Sequence, residues 1–355
     1  MDFAPTEEQS AAQGLAARIF GDLSTPERLA VAGPATDAEL WKELCAAGLT
    51  AAVEETGLLG LVLLLEEQGR TTAQVPFAAS CVYGLLSVAR HGTDEQRERL
   101  LPALRDGTAV ATGAFPARGG IRADDASVDT DTGPDDVGRL SGSVPYVPWL
   151  RDAGLVLVPD REHRLWIVRT GDPGVLTEPV ETTAPWSAAR LVLDGARGER
   201  LGGAGAYEAV LAAARTAFAG LQAGVCAGSL ARAVAHVNTR EQFGRPLSTK
   251  QGVLLRAADA HMDTEAIRVT AYEAAWRYDT GLPYGPQALT AAWWASEAGK
   301  RVVHAGQHLH GGTGADLDHP VHRHFLWGRQ LDAYLGCGGE VLQELGDSLV
   351  KEGTE

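Results

Sequence analysis

Two short segments carry residue types that could do chemistry. In REQFGRPLSTKQ, residues 240–251, Arg240 is a fixed cation suited to a phosphate group, Phe243 an apolar wall, Gly244 the residue for a tight turn, and Gln251 an amide able to donate and accept. In HLHGGTG, residues 308–314, Gly311 and Gly312 let backbone N–H groups approach a phosphate or ribose closely, and His308 adds a hydrogen-bonding ring. A lone Gly-Gly turn says little; its weight comes from standing about sixty residues after the arginine segment and before a final helix. The plain alternative for the first segment is an inter-helix loop closed by an arginine salt bridge. His308, His310, Asp316, Asp318, His319, His322 and His324 are the residue types that ligate metals. They straddle a Gly-rich turn and Pro320, with no complementary cluster elsewhere, so no metal site is expected.

Together the two segments resemble the flavin-contacting segments of the acyl-CoA dehydrogenase family, in which an Arg-x-x-Phe-Gly turn and a Gly-Gly-x-Gly turn hold the FAD of a neighbouring subunit. The resemblance implies FAD as cofactor, an acyl-CoA as substrate, and Arg240, Phe243, Gln251, His308, Gly311 and Gly312 as cofactor-binding residues. The family usually has Gln three positions before the first of these glycines; His308 stands there, with Gln307 one step earlier. Family chemistry needs a Glu to take a proton from the carbon beside the thioester carbonyl while a hydride leaves the next carbon for the flavin. In most members that Glu precedes Gly-Thr in the last domain, a place that falls here on Gly338; in a second group it lies early in the first C-terminal helix, here Ala214. Neither residue can act as a base. Glu340 is the candidate replacement, its alternative being a carboxylate favoured by a helix N-terminus, and Arg215 matches an arginine beside the second base position.

The same resemblance places flavin-ring contacts in two β segments, which correspond here to GAFPA around Ala114 and YVP from Tyr146 to Pro148. Pro148 has neither N–H nor hydroxyl. Tyr146 either shields the ring or is a core aromatic. The groups a subunit lends to its own flavin ring and substrate are thus weakened, whereas those reaching a partner's FAD are kept. That pattern resembles the base-less subunit of actinobacterial heteromeric acyl-CoA dehydrogenases acting on bulky acyl-CoAs such as sterol side chains. It implies α,β-desaturation of an acyl-CoA, by this chain or by a heterotetramer in which a homologous subunit carries the Glu, with a homo-oligomer as the other assembly. Two alternatives stand beside it: a repurposed flavoenzyme, oxygenase or desaturase, in biosynthesis, and a flavin-free scaffold subunit.

The elements that must position these residues are legible as a change of texture. Up to about residue 107 apolar residues recur at spacings of three and four, as in a helical domain, ending in HGTDEQRERLLPALRDG with Thr93 as N-cap, Gln96 three residues on, and Gly107 past the end. Residues 108–202 hold short β-prone runs, TAVATGAF, SGSVPYV, AGLVLVPD, RLWIVRT and ARLVLDG, which predict an antiparallel β domain; Gly119 to Gly138 reads as a long exposed loop. Residues 203–355 are helical again, with long Ala-rich stretches before Arg240, from Gln251 to Thr280 and from Pro286 to Gln307. The expected fold is α+β multidomain: helical domain, β domain, C-terminal four-helix bundle with FAD and tetramer contacts, the order found in acyl-CoA dehydrogenases.

Composition narrows the partners. A formal net charge of -15 repels a nucleic-acid backbone and leaves any anionic substrate dependent on local arginines and backbone donors. No uninterrupted apolar run is long enough for a membrane span, the closest being Leu58 to Leu65, and the acidic start MDFAPTEEQS does not read as a secretory signal. Cys45, Cys81, Cys226 and Cys337 have no paired spacing, which predicts reduced structural thiols in a cytoplasmic protein.

Overall fold

The computed structural model describes residues 3–125 and 137–352. It opens with α1 (Glu7–Leu23), α2 (Pro26–Ala32), α3 (Ala38–Ala46) and α4 (Leu49–Thr71), then a helical run made of α5 (Phe77–Ala79), a π-helical stretch (Ser80–Leu86) and α6 (Ser87–His91), then α7 (Asp94–Arg105). Strands follow: β1 (Ala111–Gly113), β2 (Ile121–Asp125), β3 (Val137–Val147), β4 (Leu155–Pro159), β5 (Leu165–Arg169), β6 (Val175–Pro179) and β7 (Ala189–Leu201). The chain then enters α8 (Ala206–Thr239), a small hairpin of β8 (Glu241–Gln242) and β9 (Arg245–Pro246), α9 (Gln251–Asp279), α10 (Gly285–His310), α11 (Val321–Tyr334) and α12 (Gly338–Glu352). The expected order of helical, β and helical parts is present, and the C-terminal bundle is built from three long helices and two shorter ones.

By compactness the chain divides into two units, one of Met1–Gly33, Thr56–Ala73 and Arg215–Glu355, the other of Pro34–Glu55 and Gln74–Ala214. In the second, the predicted capping box is present: the Thr93 hydroxyl accepts from the Gln96 N–H at 3.2 Å while the Thr93 N–H donates to Gln96 Oε1 at 3.0 Å. The spare Gln96 amide protons reach Glu199 and the Arg200 carbonyl on β7, so the cap also ties α7 to the sheet. Sheet order is β1-β4-β5-β7-β3-β2, with β6 also on β7. All pairs are antiparallel except β1 with β4, which is parallel. This corrects the purely antiparallel expectation: two strands lie between β1 and β4 in sequence, a connection long enough for a parallel return that short-range turn signals do not reveal. Ile121–Asp125, read from composition as loop, pairs with Gly138–Gly142 as β2; the rest of that predicted loop, 126–136, lies outside the described residues.

The first unit is organised by α8. Cβ atoms added at Gly220, Gly224 and Gly228 would run into Val62, the Glu66 backbone, and the Arg70 carbonyl with the His324 ring. Glycines spaced by four residues line one helical face, so α8 lies with its backbone almost against α4, and the packing gained offsets the helix propensity lost. This helix is long and apolar enough to cross a membrane by length and composition, a feature the search for uninterrupted apolar runs passes over. In the protein, 89% of its most apolar window is buried, as a core helix should be. Around α8, helix α10 packs against α9, α11 and α12.

Candidate cofactor site

The site begins where α8 ends. Arg240 follows its last turn, and the chain reverses at once through β8 and β9, joined by Phe243 and Gly244 alone. Both turn residues have positive φ, 56° and 76°, the signature of a type I′ hairpin, which glycine and asparagine favour at both places. Holding phenylalanine left-handed costs about 1–2 kcal/mol. Yet the residue is 91% exposed, and its ring meets the Lys250 ammonium, 4.3 Å from the ring centre. A strained backbone that displays an aromatic ring to solvent does nothing for the chain's own core.

The second predicted segment meets the first. α10 ends at His310, Gly311 takes φ 65° to turn the chain, and a short 3-10 turn, Gly311–Ala315, follows. Gly314 is glycine because a Cβ there would strike the Gln307 carbonyl, and the Gln307 amide donates to the Gly314 carbonyl at 3.2 Å. Gly312 has neither reason: its φ is not in the left-handed region and a Cβ would meet open space. What its small size leaves free is the approach of an outside group to the backbone.

Arg240, His308, Gly311 and Gly312 line one cleft of about 500 Å³, together with His236, Gln242, His310 and Thr313 over an apolar floor of Leu247, Val253 and Leu309. Gln251, the first residue of α9, and Phe243 stand beside this cleft and are not part of its lining. The Arg240 guanidinium is exposed, with no ion-pair partner among the described residues. No carboxylate lines the cleft, in a chain with 46 acidic against 31 basic residues. Unpaired cation, approachable glycine backbone and absent acid are the chemistry of an anion site, so the residues present fit the diphosphate of a dinucleotide. His236, Gln242 and Thr313 were not found from sequence, though His236, one helical turn before Arg240, shares its face of α8. Among the described residues no group of three His, Cys, Asp or Glu side chains is placed to hold a metal ion.

Neither base position carries an acid. Ala214 is fully buried on α8. Gly338 opens α12, and a Cβ there would crowd Glu297 of α10, whose Cγ and Cδ would lie 2.8 and 3.0 Å away. Glu297, paired with Lys300 at 3.5 Å, is thus the carboxylate occupying that space, a residue sequence reasoning missed because it is remote in the chain. Glu340 accepts the Cys337 N–H at 3.2 Å, the reach-back of a carboxylate in the first turn of a helix. Arg215 is buried and doubly bonded to Glu344, at 2.6 and 2.9 Å, with a further bond to the Leu335 carbonyl.

In the other unit the two segments matched to flavin-ring contacts are packed inward. Phe115 is 4% exposed and stacked between Tyr83 and Tyr207, with ring centres 5.1 and 5.6 Å away. Burial, with Tyr83 nearby, pushes the Tyr146 phenol far above its ordinary range, so it stays protonated. Pro148 contributes its carbonyl to the Thr112 hydroxyl at 2.5 Å.

Comparisons with known proteins bear on the family. The family models for the acyl-CoA dehydrogenase N-terminal domain and C-terminal domain match residues 6–108 and 202–345. Acyl-CoA dehydrogenase FadE27 of Mycobacterium tuberculosis is 33% identical over 99% of both chains, and FadE28 of the same organism 27% identical over 98% of both. Among solved structures, the Tcur3481-Tcur3483 steroid ACAD G363A variant is 39% identical with a TM-score of 0.91, covering 98% of this chain and 99% of that one. The ChsE4-ChsE5 complex from Mycobacterium tuberculosis is 31% identical with a TM-score of 0.90, covering 99% of each chain. This chain belongs to the acyl-CoA dehydrogenase family, whose members are FAD flavoproteins.

Proposed function

We propose that this chain is the flavin-completing subunit of a cytoplasmic, heteromeric acyl-CoA dehydrogenase, and that a homologous partner carries the carboxylate that removes the α-proton of the acyl-CoA. The observation that carries the reading is the contrast within this one chain. The anion cleft keeps its unpaired Arg240, with Phe243 displayed beside it, whereas Ala214 and Gly338 hold no acid and Arg215 and Glu340 are engaged in structural bonds. Arg240 and the Gly311-Gly312 backbone would hold the diphosphate, and Phe243 would wall off the ring system from water. FAD, when bound, supplies the hydride acceptor that oxidation of an acyl-CoA to its α,β-unsaturated product requires. The two-component names of the ChsE4-ChsE5 and Tcur3481-Tcur3483 relatives support a heteromer, and the steroid label of the latter supports a bulky, sterol-derived acyl chain.

The test is flavin content and turnover of the chain purified alone and co-purified with a homologue that carries Glu at either base position. Flavin is expected at about one per pair of chains, absent from the single chain, and lost when Arg240→Met is introduced into the pair. Robust dehydrogenation of an acyl-CoA by this chain alone would sink the proposal.

A further inference from the structure

The cleft holds more titratable rings than an arginine-and-backbone anion site needs. His236 on α8 stacks against His310 of α10, ring centres 4.8 Å apart and planes 26° from parallel. His310 is fixed in turn: its Nδ1 donates to the Gly306 carbonyl at 2.7 Å, and the His319 ring centre lies 5.0 Å from its own. The charged and titratable groups around His236 are Arg232 one turn earlier on α8, Arg240 just past its end, His308 and His310 from α10, and His319 from the following loop, with Asp316 beside His319. The remaining lining from the hairpin side and α9, Gln242, Leu247 and Val253, carries no charge. No acid lines the cleft to hold a proton on His236.

We propose that His236 is a proton-carrying ligand for a diphosphate group bound in this cleft. The inference rests on the reading of the cleft as a dinucleotide diphosphate site and adds to it a residue and a linkage. Desolvation first, then His310 and Arg240, hold His236 below the ordinary imidazole range, so it is neutral at neutral pH. An entering diphosphate reverses the balance, because a nearby anion favours the charged ring. One solvent proton then moves onto the free imidazole nitrogen, giving an imidazolium that can donate to the anion, with no bond made or broken besides that N–H. Since the bound form carries the extra proton, affinity must rise as pH falls and flatten once the free cleft is itself protonated. Arg240 supplies the anchoring charge, and His236 adds the pH dependence.

The experiment uses the full chain with histidine nitrogens isotopically labelled, titrated by NMR from about pH 5 to 8 with and without inorganic pyrophosphate. The His236 signal is assigned by its loss in His236→Asn. Saturating pyrophosphate is expected to raise the His236 midpoint by about one pH unit, equivalent to about tenfold tighter binding to the protonated cleft. Arg240→Met should remove most of the effect, and His236→Asn should bind with a shallower pH slope than the unaltered chain, pyrophosphate's own protonation being common to both. Pyrophosphate that shifts the Gly311 and Gly312 amides while leaving His236 unmoved would overturn the inference and leave the anion cleft standing. No shift in either place would overturn both. FAD and coenzyme A, which each carry a diphosphate, are then compared on the chain co-purified with its partner: movement of His236 by FAD is the expected result. Movement by coenzyme A alone would keep the proton linkage but assign the cleft to the substrate, against the flavin reading.

Discussion

Phe243 is the residue whose environment says most about its task. Its left-handed backbone costs about 1–2 kcal/mol, and its contact with Lys250 returns about 0.5–1 kcal/mol at an exposed place. Phe243→Asn relieves the first and removes the second, so stability in urea should change by less than about 1 kcal/mol. Flavin retention by the assembled complex should fall sharply, and a large loss of stability would instead make Phe243 structural. Gly338 gives a second prediction. Gly338→Ala should cost about 1 kcal/mol because Glu297 must swing away, and adding Glu297→Ala should erase that cost. Equal, additive losses in the single and double variants would show that the two residues do not meet. At this scale the sequence told which side chains were candidates but not their neighbours. Arg215 and Glu344 are far apart in the chain, as are Gly338 and Glu297, and no local pattern links either pair.

Among the elements, α4 shows how a remote side chain sets local structure. Gly57 breaks the helix at φ 72°, and the segment after it starts with two backbone donors satisfied by the Asp279 carboxylate: Leu58 N–H at 2.7 Å and Leu59 N–H at 2.9 Å. Asp279 therefore does the work of an N-cap from the far end of α9. Asp279→Ala should cost about 1–2 kcal/mol, read as a lower urea midpoint with an unchanged slope. An unaltered midpoint would mean that water satisfies those donors equally well. Helices α7, α8, α9 and α10 were legible because caps and apolar spacing are local signals. β2 and β6 were not: IRADD and VLTEP hold few apolar residues, and each pairs with a strand whose position only the folded sheet supplies. The glycines of α8 were present in the sequence as composition, and became a packing face once α4 lay across them.

At the scale of the whole molecule, α9 carries a row of exposed apolar side chains. Leu255, Met262 and Val269, exposed by 57%, 68% and 48%, recur every seven residues and so share a helical face. Such a face fits contact with another chain, as the heteromer proposal requires. Leu255→Glu with Met262→Glu should lower the mass of the particle in solution while leaving the chain's thermal midpoint within a few degrees; an unchanged mass would place the interface elsewhere. By itself the sequence determined the family, the order of helical and β parts, the two candidate cofactor segments and the residues at the two expected base positions, because caps, turn glycines and residue identity are properties of neighbours along the chain. Only the tertiary structure decided that Arg240 and the Gly311-Gly312 turn share one acid-free cleft with His236, and that Arg215, Glu340 and Phe115 are engaged elsewhere. Proximity between residues far apart in sequence is set by how whole helices and strands pack, and that information is spread over every contact in the core rather than held in any motif.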